Sequence, residues 1–230
     1  SGIFNMPVDL AQALASVNTT GTGLLTPQRR PAEAGINLIN RGHQIPSGLD
    51  TVLNAVGKHK KVSPLAIRNR VLKPIAYHET GGTMDSNTRQ QTANDAKGEF
   101  TGAGRGLYQF EGTKGSGQGF TTALKRAESW YNQNKIPIPT WLSDVKENDD
   151  ARDLTADQQS ILAVTDFERK KGAKLEKVIK GEQSILDFWT ESHWAGSAQS
   201  SAEVIKDRRE SFKGHYNELL ASQLPSVSQQ

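Results

Sequence analysis

The chain has 230 residues, long enough for one sizeable core, yet only 35% of them are hydrophobic. Its mean hydropathy is −0.60, and no apolar run approaches the roughly 18 residues of a membrane span, which excludes a transmembrane helix. The absence of cysteine excludes disulfide scaffolds, Cys-ligated zinc, iron–sulfur centres and thiol nucleophiles, and leaves the compartment undecided. Lysine and arginine number 28 against 25 acidic residues, a formal +3. That is too mild for a nucleic-acid binder, whose basic stripe is interleaved with aromatics.

Residues 1–46 are poor in apolar side chains and punctuated by Thr19-Thr20-Gly21-Thr22-Gly23, Pro27, Pro31 and Pro46. They read as an extended N-terminal arm with one short helix around Val8–Ala15. The opening Ser1-Gly2-Ile3-Phe4-Asn5-Met6 lacks the basic-then-apolar pattern of a signal peptide. Ser47 is placed to cap a helix whose Leu49, Val52, Leu53 and Val56 form one apolar stripe. Ser63 and Pro64 then open a helix carrying Leu65, Arg68, Val71, Leu72, Ile75 and Ala76. Pro74 should kink it and Gly81-Gly82 should end it. Glu79 therefore falls in the last turn, on the same side as Ile75. A carboxylate there is desolvated and also faces the negative end of the helix dipole.

From Asp85 to Gly119 glycines recur and the apolar period fades, so loops with a small hairpin or irregular sheet are expected. Helices resume over Thr121–Asn134, and Ile136-Pro137-Ile138-Pro139 forms an extended connector. Thr155 and Gln158 make a capping box for a helix with Ile161, Leu162, Thr165 and Phe167. Two more helices follow over Ser184–Trp194 and Ala202–Leu220. The basic clusters Lys58-His59-Lys60-Lys61 and Arg169-Lys170-Lys171 read as solvated faces. The expected division is an arm at 1–46, a mainly α (α+β) domain at 47–222 and a tail at 223–230.

Several motifs are excluded. His78-Glu79 lacks the second histidine of a zinc protease, because position 82 is Gly82. The five histidines (His43, His59, His78, His193 and His215) show no metal-ligand spacing. Ser116 lacks the glycine two residues earlier that a nucleophile elbow needs. Gly57-Lys58 is followed by His59, which rules out a phosphate loop, and no strand signal precedes the glycines at 112–119. What remains is carboxylate chemistry, with no cofactor and no metal implied.

Three segments, in order, carry a resemblance: Tyr77-His78-Glu79-Thr80, then Gly104-Arg105-Gly106-Leu107-Tyr108-Gln109-Phe110, then His193-Trp194-Ala195-Gly196. Together they resemble the lysozyme-like superfamily of peptidoglycan-cleaving enzymes, and most of all its lytic transglycosylases. In that family a Glu-Ser pair precedes a Gly-Leu-Met-Gln segment, and a Tyr-Asn-Ala-Gly-like segment comes later. Here Thr80 stands for Ser, Tyr108 for Met, and His193-Trp194 for Tyr-Asn. The resemblance covers residues 63–220. The Gly-Leu-Tyr-Gln-Phe variant and the polar arm also resemble wall-degrading modules of tailed bacteriophages, in virions or endolysins. That implies action on the host periplasm or cell wall, with the arm contacting other virion proteins.

The resemblance implies a lysozyme-like helical domain with a small β region, and Glu79 as the acid that cleaves the bond between N-acetylmuramic acid and N-acetylglucosamine. Such an acid must keep its proton near neutral pH, which an apolar setting provides. Thr80, Gly106, Tyr108, Gln109 and Trp194 are then the candidate substrate contacts. Gln109 would bind an acetamido or hydroxyl group, Gly104 and Gly106 would let backbone approach the sugar, and Tyr108 and Trp194 would offer stacking faces. The plainer alternatives are a Glu79 paired with a cation, a loop-structuring Gln109, core aromatics at 108 and 194, a capping Thr80 and a structural His193. A hydrolytic muramidase would need a second carboxylate, for which Asp85, Asp95, Glu99 and Glu111 are available. A transglycosylase needs Glu79 alone and closes a 1,6-anhydro ring. A non-catalytic virion or wall-binding protein is the other class.

Overall fold

The computed structural model describes residues 48–90, 102–194 and 198–224. The expected arm, Asp95, Glu99, the Ala195-Gly196 pair and the tail beyond Leu224 lie outside these residues. Of the described residues, 66% are helical and 4% lie in strands or bridges, so the chain is mainly α with one two-stranded sheet. In order, the elements are α1 (Gly48–Lys60), α2 (Pro64–Ile67), a π-helical turn (Arg68–Leu72) and α3 (Lys73–Glu79), then β1 (Gly104–Arg105) and β2 (Phe110–Glu111). They continue with α4 (Gly119–Gln133), α5 (Thr140–Ser143), α6 (Ala156–Ile179), α7 (Ile185–Ser192) and α8 (Ala202–Gln223). Short 3-10 turns occupy Lys114–Ser116 and Ala151–Asp153.

Helix α6 is the spine. The capping box at Thr155 and Gln158 opens it as expected, and every residue from Gln159 to Phe167 is buried. It packs against α1, α4, α7 and the π turn, so its N-terminal half has no solvent face. Ser160 and Thr165 satisfy their hydroxyls on the carbonyls of Ala156 and Ile161, 2.8 and 2.7 Å away. Gln159, wholly buried, is a hub. Its Oε1 accepts from the Leu107 N–H at 2.8 Å, and its Nε2 donates to Ser86 O and Leu154 O at 3.1 and 3.0 Å. One amide thus ties two site-bearing loops to the spine.

Ser63 caps the next helical run, with Pro64 in its first turn. Pro74 does not simply kink the helix. The turn before it widens, so that the Lys73 N–H reaches Arg68 O, five residues back. Proline lacks the N–H and its ring crowds the carbonyl four residues earlier, and the π turn accommodates both faults. The run ends at Glu79, with Gly82 N–H returning to Tyr77 O at 2.7 Å and Gly81 and Gly82 at φ 59° and 87°.

In the cluster at 58–61, Lys58, His59 and Lys61 are exposed as expected and only Lys60 departs. Lys60 is buried rather than solvated: its Nζ donates to Gly172 O at 3.0 Å and pairs with Glu168 at 3.1 Å. It braces α6 at a break where Lys171 has non-helical φ/ψ of −144° and 40°. Among the described residues no helix is long and apolar enough to cross a membrane.

Candidate active site

The last turn of α3, the loop 80–90, the β turn, the end of α7 and one face of α8 surround a cleft of about 1120 Å³. Glu79 lines it, with a side chain only 16% exposed. The indole N–H of Trp189, on α7, donates to Glu79 Oε1 at 2.6 Å. His193 Nε2 lies 3.6 Å from the same oxygen and 2.8 Å from Tyr108 O. A carbonyl only accepts, so this nitrogen carries a hydrogen. Burial pushes the Glu79 carboxyl above the usual carboxylate range, against the opposing pull of His193, the Trp189 N–H and Arg208. The desolvated carboxyl foreseen at this helix end is present, and its surroundings favour the protonated acid.

The other expected contacts divide. Trp194 lines the cleft, half-buried, stacked on Trp189 with ring centroids 5.5 Å apart and planes 6° from parallel. Gln109 also lines the cleft and sits at φ 51°, in the left-handed region that costs a non-glycine residue about 1 kcal/mol. Its Nε2 is engaged by Gly106 O at 2.7 Å, so this amide structures its own turn as well as facing the cleft.

Tyr108 is corrected to a core residue: it is wholly buried, its hydroxyl lies 2.9 Å from Ser160 Oγ, and its ring offers no face to the cleft. Burial also pushes its phenol up. Gly106 is buried and lies outside the cleft lining. A Cβ there would sit 2.3 Å from Gln159 Oε1 at φ 79°, so glycine is required by the hub amide. Gly104 likewise accommodates Gln109, whose Oε1 would be 2.7 Å from a Cβ. Thr80 borders the cleft, yet its hydroxyl donates to Ala76 O at 2.7 Å and accepts from Met84 N at 2.9 Å. Both of these hydrogen bonds serve the helix end, so Thr80 acts as a local cap at the edge of the cleft.

Of the second-carboxylate candidates, Asp85 and Glu111 both line the cleft and are exposed. Asp166, not anticipated, also lines it and is held by Arg126 at 2.6 Å. The sequence reading missed Trp189 altogether, because a tryptophan inside an apolar helical stripe looks like core. The available signal was that a buried indole N–H needs an acceptor. It also missed His78 and His215, whose Nδ1 atoms meet at 2.8 Å on the cleft wall. Among the described residues no group of three or more His, Asp or Glu side chains is arranged to hold a metal ion. No protein-family model, curated protein or solved structure matches this chain.

Proposed function

We propose that the chain is a lysozyme-like glycosidase that cleaves the β-1,4 bond between N-acetylmuramic acid and N-acetylglucosamine in peptidoglycan, as a lytic transglycosylase. The observation that carries this reading is Glu79: a desolvated carboxyl at a helix end, one oxygen held by Trp189, facing a cleft of saccharide size. Because Oε1 accepts the Trp189 N–H, Oε2 is the oxygen left to hold the acid proton. It gives that proton to the glycosidic oxygen as the C1–O bond breaks, and the substrate's N-acetyl carbonyl stabilises the developing oxocarbenium ion. The resulting Glu79 carboxylate then takes the proton of the C6 hydroxyl as that oxygen bonds to C1, which closes the 1,6-anhydro ring and restores the acid. The part of Trp194 that lines the cleft, away from its stack on Trp189, and the turn held by Gln109 serve as sugar-binding surfaces.

A hydrolytic reading has one observation in its favour, since Asp85 and Glu111 share the cleft with Glu79. Mass spectrometry of soluble products from purified peptidoglycan separates the two. Anhydro-muramyl ends that disappear in Glu79→Gln support the transglycosylase. Reducing muramyl ends identify a hydrolase, with Asp85 and Glu111 as its candidate second carboxylates. No products on a wall that a control enzyme digests would leave a binding protein.

A further inference from the structure

Beside the cleft two arginines are forced together. Gln90 N–H donates to Gly104 O at 3.0 Å and Gly106 N–H to Thr88 O at 2.8 Å, on either side of the antiparallel bridge between Arg89 and Arg105. That pattern makes Arg89 and Arg105 a non-hydrogen-bonded pair, the narrow kind, with Cα atoms about 4.5 Å apart. Directly opposed residues project from the same face, and like charges so placed destabilise the pairing. Asp150, an acid that acts on Arg105, is engaged by Arg152, which binds its Oδ2 at 2.7 Å and its Oδ1 at 3.0 Å. Among the described residues Arg89 has no ion pair, and it is exposed and lines the cleft. Arg105 is steadied by donating one guanidinium nitrogen to the carbonyls of Gly102 and Gly104. Burial, Arg152 and Arg89 hold its guanidinium below the usual range against the pull of Asp150.

We propose that Arg89 and Arg105 form an oxyanion subsite for the stem-peptide carboxylates of peptidoglycan, so that the enzyme favours strands whose peptides are charged. The inference rests on the peptidoglycan reading of the cleft. A guanidinium presents a planar fork that matches a carboxylate, and an anion between the two arginines relieves their repulsion. In peptide-bearing strands the lactyl carboxyl of N-acetylmuramic acid is taken up in the amide link to the peptide, so the peptide supplies the anion.

The experiment compares kcat/KM on soluble peptide-bearing strands, freed of phosphodiester polymers, with the same strands after their carboxyl groups are amidated. The native protein is expected to favour the unmodified strands roughly tenfold, the scale of one charge-assisted contact. In Arg89→Ala the preference falls towards one, and Arg89→Lys keeps part of it. Thermal melts check that both variants fold. Equal rates on the two substrates, or a preference untouched in Arg89→Ala, overturn the subsite while leaving the glycosidase reading in place. A preference that appears only on strands retaining phosphodiester polymers also overturns it. Absence of cleavage of either substrate by the native protein overturns both readings together.

Discussion

A carboxyl group held out of water costs the fold free energy whenever it is ionised. Burial raises the Glu79 pKa above its unfolded value, so the folded state binds that proton more tightly than the unfolded chain. Stability is therefore lost as pH rises through this range. Glu79→Gln, which removes the ionisation and keeps the shape, is expected to raise the Tm at neutral pH while abolishing activity. The gain should shrink as the buffer is made acid, and melts at several pH values check this. Trp189 acts on the same atoms through one N–H. Trp189→Phe keeps the ring between Trp194 and Phe212 and deletes the donor. A hydrogen bond to an ionised group contributes about 1.5–3 kcal/mol, so kcat should fall roughly tenfold to a hundredfold. The acid-base profile should move to higher pH, because the lost contact favoured the carboxylate. The placement of Glu79 on the buried side of a helix end was legible in the sequence from helix phase. Trp189 was not, because the acceptor of its N–H lies 110 positions away in the chain.

At the scale of elements, the run from Pro64 to Glu79 holds a lysine as well as the acid. Lys73 is 5% exposed, and burial lowers its pKa from 10.5 to about 8. The fold disfavours the ammonium, so the penalty is full below the folded pKa and disappears as pH rises through the unfolded value. Discounted for partial solvation, the penalty is about 1–2 kcal/mol at neutral pH. Lys73→Met should recover it at neutral pH and give no gain at about pH 11. The β turn is constrained differently. A Cβ on Gly106 would collide with Gln159 Oε1 at a positive φ, so Gly106→Ala should destabilise by about 2–4 kcal/mol, measured by urea unfolding. Sequence reading foresaw that glycines were needed in this segment and misjudged what approached them. The neighbour at Gly106 is the chain's own Gln159, reached through the spine helix.

At the scale of the whole molecule, one wall of the cleft is α8, joined to α3 by the His78–His215 contact. Two imidazoles meeting through Nδ1 share one hydrogen, so they cannot both be protonated there. Burial, with His215, Arg208 and His193 adding positive charge, lowers the His78 pKa from 6.5 to about 3. The unfolded chain then binds the extra proton as pH drops below 6.5, and folding weakens. Relative to His78→Phe, the native protein should lose about 1–2 kcal/mol between pH 7 and pH 5, seen in denaturant midpoints. Helix periods, caps and glycine punctuation are local properties of the chain. By themselves they determined the mainly helical class, most element positions and Glu79 as a carboxyl on a buried helix end. Three short segments, at 77–80, 104–110 and 193–196, carried the likeness on which the glycosidase proposal draws. Only the tertiary structure decided that Tyr108 turns into the core and that Thr80 spends its hydroxyl on a cap. It alone brought Trp189 and His193 to Glu79 and set Arg89, at the cleft, opposite Arg105. Local propensity sees neighbours within a few residues, whereas a buried hydrogen bond is completed by whichever distant group packing brings within reach.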